Sequence, residues 1–158
     1  IAWALRHGFA EVALNAAAVH ADATREIRRC VKAASELVQA GRSVIVHTTK
    51  RGADKRVAAK LKGRTAAYLG CALGSVMWAT LKKARVNRLC IAGGDTSSYA
   101  ALALGIEAVE MIAPLTPGAP LCRAHALPPS PVDGLEVVFK GGQVGPENYF
   151  EIVRKGKP

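Results

Sequence analysis

The sequence predicts an α/β domain of three layers, a mostly parallel sheet with helices on both faces. Three observations carry this. Short β-branched runs, such as Ser43–Thr48 and Arg88–Ala92, have the compact apolar character of strands buried on both faces. Longer stretches of helical periodicity separate them, and that alternation builds parallel units. Glycine-rich turns lead from strand to helix at two places, residues 93–98 and 140–145.

The elements follow in order. Ile1, Leu5 and Phe9, spaced by four, give the start the look of a helix interior. Phe9–Leu14 reads as a short strand. Asp22 or Thr24 can cap a helix that runs through Ile27, Val31, Ala34, Leu37 and Val38 and stops at Gly41. The strand Ser43–Thr48 comes next, followed by the basic stretch 49–64 with no clear apolar period. A second helix spans about Thr65 to Ala84, with Lys82, Lys83 and Arg85 at its end, favourable for the helix dipole. Arg88–Ala92 is a strand, Gly93–Ser98 turns it into a helix through Leu104, and Gly105 ends that helix. Ala108–Ile112 is a further strand. The stretch containing Pro114, Pro117, Pro120, Pro128, Pro129 and Pro131 looks too broken for a central strand. Leu135–Phe139 is the last strand, and Lys140–Gly145 turns into a short helix over Pro146–Val153.

Half of the 158 residues are apolar and 22 % are charged, which excludes disorder as the general state and fits one domain, residues 1–158. No run reaches the roughly 18–20 apolar residues that a membrane span needs. The formal charge is +10. The excess lies wholly within residues 49–88, where eleven basic side chains (Lys50, Arg51, Lys55, Arg56, Lys60, Lys62, Arg64, Lys82, Lys83, Arg85, Arg88) face the single acid Asp54. Cys30, Cys71, Cys90 and Cys122 form no Cys-x-x-Cys pair, and the four histidines are scattered, so no metal site is expected. Buried free thiols and a cytoplasmic setting are the expectation. Trp3, Phe9, Tyr68, Trp78 and Phe139 read as core, and His47 as a hydrogen-bonded structural histidine.

Gly93-Gly94-Asp95-Thr96-Ser97 is the sharpest local feature. Paired glycines let a ligand approach backbone N–H groups, and the helix N-terminus that follows favours a phosphate. Thr96 and Ser97 carry hydroxyls for phosphate oxygens. The same residues also make a good helix cap through Asp95 or Thr96, and both readings stand. Lys140-Gly141-Gly142-Gln143-Val144-Gly145 has the same placement, with Lys140 as a point charge for phosphate. In a parallel sheet the two turns would share the rim where ligands bind. Neither is a Walker A loop or a Gly-x-Gly-x-x-Gly turn.

These residues, in this order, resemble the four-carbon acid sugar kinase family. The carriers are Gly93–Ser97 with its Ala/Leu helix ending in Leu104-Gly105-Ile106, Pro117-Gly118-Ala119-Pro120, and Lys140–Gly145 with Tyr149-Phe150. Gly8–Val12 and Gly41–Thr48 extend the likeness over nearly the whole chain. The match is to the family's C-terminal, nucleotide-binding domain. The family often has Glu at the position of Asp95 and Asn at that of Gln143.

The resemblance implies ATP-dependent phosphorylation of a threonate- or erythronate-like acid, with Mg²⁺. It implies ATP contacts at Gly93, Gly94, Asp95, Thr96, Ser97, Lys140, Gly141, Gly142, Gln143 and Gly145. Asp95 would orient Mg²⁺ or cap its helix, the cap being preferred. The resemblance further implies that an N-terminal substrate domain, and a phosphate loop ahead of Ile1, belong to the same polypeptide. Expected partners are the nucleotide, a small sugar acid and that missing domain, with a homodimer admitted and no membrane. The competing reading is a basic nucleic-acid-binding α/β module using residues 49–88, disfavoured because Tyr68 and Trp78 are its only aromatics. Within the kinase reading, Arg51, Lys55 or Arg56 would lie near the ligand rim, unless the block is a solvated face.

Overall fold

The computed structural model describes residues 1–48, 65–142 and 144–157, without the side chains of Thr65 and Thr96. The basic stretch 49–64, with Arg51, Lys55 and Arg56, lies outside the described residues, as does Gln143. Six helices and six strands are described. In chain order they are α1 (Ala2–Arg6), β1 (Ala10–Ala13), α2 (Ala16–Ala21), α3 (Ala23–Gln39), β2 (Val44–His47), α4 (Thr65–Leu81), β3 (Arg88–Ala92), α5 (Asp95–Leu104), β4 (Ile106–Thr116), β5 (Ala119–Ala126), β6 (Glu136–Lys140) and α6 (Tyr149–Lys155).

The α/β class holds, but the single, mostly parallel sheet does not. β1 and β2 form a parallel pair, and a separate four-stranded sheet has the order β3-β6-β5-β4. In that sheet β3 and β6 are parallel, whereas β5 is antiparallel to both β4 and β6. The proline-rich stretch explains the difference. Pro117-Gly118 makes a two-residue turn with Gly118 at φ +76°, pairing Thr116 with Ala119, and a turn that short forces a hairpin. Pro114 sits on the outer strand near a register irregularity. Pro120 lies beyond the part of β5 that pairs with β6, which begins at Cys122. Pro114, Pro117 and Pro120 therefore occupy positions where a missing N–H costs no ladder bond, and this part of the stretch is strand after all, whereas Pro128, Pro129 and Pro131 lie in the loop after β5.

Side chains alternate between two helical layers. Ile91 and Val137 join Cys122, Ala124 and Ala126 beneath Ala100 and Leu104 of α5. Val138, Leu115 and Leu121 face the other way, against Tyr149 and Val153 of α6. The β1–β2 pair is sandwiched likewise, between α3 and α4 on one side (Val12, Val31, Val76) and α1 on the other (Ala4, Phe9, Ile45). Met77 and Leu81 of α4 also pack on the first cluster, and Phe150 of α6 on the α1 cluster, so common helices span both sheets.

Local chemistry fixes the helix ends. The Asp22 carboxylate accepts a hydrogen bond from the Arg25 N–H at 2.9 Å, capping α3, and Gly41 follows its end at φ +75°. α2, capped by Asn15, is an element the sequence reading does not contain. Its run of alanines offers no apolar period to read. Two expected core residues prove more exposed: Trp78 is 36 % exposed, with the Lys82 ammonium 4.5 Å from its ring centroid, and Cys71 is exposed. Cys30 and Cys122 are buried, and all four cysteines are free.

Candidate nucleotide site

Both glycine turns leave neighbouring parallel strands at the same rim. Ala92, the last residue of β3, stands opposite Lys140, the last of β6, and the Gly93 N–H donates to the Lys140 carbonyl at 2.9 Å. A hydrogen bond thus ties the two turns together at their bases. Gly93 has φ +148°, a conformation that L side chains rarely adopt, so the bend there requires glycine. Ser97 is buried, and its hydroxyl donates to the Gly93 carbonyl at 2.5 Å while its N–H donates to the Gly94 carbonyl at 2.9 Å. The serine braces the turn from within, which differs from a hydroxyl aimed at phosphate.

The preferred cap reading of Asp95 does not hold. Gly94 is the N-cap of α5 and, among the described residues, no side chain caps that helix; Asp95 is its first residue, exposed. Among the described residues the positive end of α5 thus lacks a side-chain cap, and a Cβ built on Gly94 would meet nothing within 4 Å. The Thr96 hydroxyl lies outside the described residues. On the second turn a Cβ at Gly142 also meets open space, whereas Gly141 closes on Val144 at 3.2 Å. Lys140 Nζ donates to the Gly141 and Gly142 carbonyls at 2.9 and 3.4 Å and lies 5.4 Å from the Tyr149 ring centroid. Gly145 serves packing: at φ +86°, any Cβ would collide with the buried Tyr149 ring.

Behind the first turn lies a small cavity of about 60 Å³, lined by Val46 of β2, Cys90, Ile91 and Ala92 of β3, and Ser97 and Ala100 of α5. Burial pushes the Cys90 thiol up to about 12, against the opposing pull of the Lys140 ammonium, so this wall is chemically inert. Among the described residues, no three His, Cys, Asp or Glu side chains group as metal ligands. His47 Nε2 lies 2.8 Å from Glu11 Oε1, in keeping with a structural histidine. A wider open groove of about 660 Å³ runs beside α3, lined by Arg25, Arg28, Arg29, Lys32 and Lys83, and contains neither glycine turn.

Of the described basic residues in the 49–88 block, Arg88 is committed structurally. It pairs with Glu136 and donates to the Val153 and Arg154 carbonyls at 2.9 and 3.0 Å, which holds the end of α6 against β3 and β6. The sequence reading counts it in the basic block 49–88 and at the start of a strand, and no sequence signal marks its partners, which lie far along the chain.

Residues 1–150 match the family described as the nucleotide-binding C-terminal domain. The chain belongs to that family. A 3-oxo-isoapionate kinase from Paraburkholderia graminis is 39 % identical over 168 residues, covering 99 % of this chain and 36 % of the relative. A D-threonate kinase from Salmonella typhimurium is 30 % identical over 154 residues, covering 92 % of this chain and 36 % of the relative. A solved structure from Salmonella typhimurium LT2 superposes with a TM-score of 0.74 at 17 % identity, covering 99 % of this chain and 37 % of that one, a likeness of fold alone. This nucleotide-binding domain therefore spans about a third of the length of its curated relatives. Among the described residues, no helix is long and apolar enough to cross a membrane.

Proposed function

We propose that this domain holds ATP for a kinase that phosphorylates a four-carbon sugar acid or a close relative of one. The observation that carries the reading is the pairing of two glycine turns on adjacent parallel strands, joined by the Gly93–Lys140 hydrogen bond. The uncapped start of α5, with open space over Gly94 and Gly142, suits a phosphate chain lying across both turns. Lys140 is close enough to turn from the Gly141 and Gly142 carbonyls towards a phosphate. Asp95 suits Mg²⁺ carried in by the nucleotide, since that ion is commonly held by one or two carboxylates plus phosphates. The protein's contribution to phosphoryl transfer is to position the groups and offset developing charge.

The residues that select the acid belong, in this reading, to the remainder of the longer polypeptide, as does a strand that completes the sheet. Among the described residues β2 pairs only with β1 and β3 only with β6, while Val46 and Ile91 line one small cavity between them. The two unpaired edges suit one more strand, joining the two sheets and bringing a further loop to the rim.

Calorimetric titration of the full-length protein with MgATP tests the proposal. Gly94→Ala and Gly142→Val, both built into open space, should weaken binding at least tenfold while melting stays within a few degrees. Undiminished affinity in both folded variants would remove these turns from the nucleotide site.

A further inference from the structure

Among the described residues β4 is the outermost strand of its sheet, 11 residues long and paired with β5 on one side only. Six consecutive residues, Glu107–Ile112, are exposed, and among them Val109, Met111 and Ile112 expose 46, 60 and 41 % of their surface. Val109 and Met111 stand opposite Ala124 and Cys122, on the face that α5 covers. The helix therefore shields β5 but leaves the apolar side chains of β4 in water. Native edge strands are usually blunted by lysine, proline or a bulge. Between Ala108 and Met111 the ladder to β5 is regular, with irregularities only at either end, and this stretch holds no Lys, Arg or Pro.

We propose that β4 pairs antiparallel with β4 of a second copy of this chain, about a twofold axis at Val109. The bare main-chain edge calls for a strand, and the side chains select the register. An axis through the sheet keeps paired side chains on one face, so it must pass through a residue. Only Val109 and Glu110 centre the pairing within the regular stretch. An axis at Glu110 sets two carboxylates directly opposite, which is destabilising. An axis at Val109 sets Val109 against itself and Glu110 against Ala108, with no like charges directly opposite within that stretch. β4 is also a stretch of this +10 chain that bears acids and no bases, so the two copies meet away from their excess positive charge.

The test uses the full-length protein. Sedimentation equilibrium should give a dimer, and Val109→Lys with Met111→Lys should raise its dissociation constant at least tenfold. Directly opposite residues lie about 4.5–5.5 Å apart between Cα atoms, within disulfide reach. Val109→Cys should therefore cross-link as a dimer under mild oxidation, while Leu127→Cys, more exposed but off the axis, should not. A monomeric parent protein, a dimer that withstands both lysines, or equal cross-linking from the two cysteine variants would overturn the proposal.

Discussion

Glu26 shows how one side chain can organise the start of a layer. It is buried within α3, and its carboxylate accepts from Asn15 N–H at 2.8 Å and from Arg29 Nη2 at 2.7 Å, while Arg29 also reaches the Ala13 carbonyl. One carboxylate thus fastens the end of β1, the cap of α2 and the body of α3. The Arg29 hydrogen bond, chiefly, holds its pKa below the ordinary value of 4.5 against the opposing effect of burial. A lowered folded pKa gives stability that is complete above 4.5 and is lost as pH falls through the folded value. Glu26→Gln should cost about 1–3 kcal/mol at pH 7. Urea unfolding at a series of pH values should show that cost shrinking as pH drops below 4.5. A pH-independent difference would mean the charge of Glu26 plays no part.

Among the elements, α4 and α5 meet most closely at Gly74. A Cβ there would lie 2.5 Å from Ala103 Cβ and 2.8 Å from the Ala100 carbonyl, so the helices must part to admit one methyl. Gly74→Ala should gain helix propensity yet lose stability, by about 1–3 kcal/mol for overpacking. A raised melting temperature would show that the contact yields freely. Most elements were legible in the sequence where a local signal fixes them. Asp22 and Gly41 bracket α3, Gly105 ends α5, and Arg88–Ala92 is a strand in both readings. Ala108–Ile112 is likewise a strand in both readings, within β4, but β5 and its hairpin with β4 were missed because proline count obscured proline position, and α2 because alanine carries no pattern. The two glycine turns were legible as strand-to-helix bends. Their bond to one another, the inward turn of Ser97 and the packing role of Gly145 depend on partners distant in sequence or on backbone angles, which composition does not disclose.

At the scale of the molecule, the concentrated positive charge divides into parts with different duties. Arg88 is a clasp between strands and a helix, Lys82 covers Trp78, and Lys83 shares the α3 groove with three arginines and Lys32. The sheet depends on residues near the end of the chain, because β6 lies between β3 and β5 and makes the only described strand pairing to β3. A chain ending at Asp133 lacks β6 and α6, and with them Val137, Val138, Tyr149 and Val153, all buried. Calorimetry should find no cooperative melting in that truncation. A sharp transition near that of the intact chain would show that β3 finds another neighbour.

That central place for the last strand has a consequence during synthesis. A ribosome delivers β3 and the β4–β5 hairpin first, and each must wait with an open edge until β6 emerges to join them. The two glycine turns can be fastened together only once Lys140 has cleared the exit tunnel. The proposed nucleotide rim is accordingly among the last parts of this domain to form, and a nascent chain stopped short of β6 lacks one of its two turns.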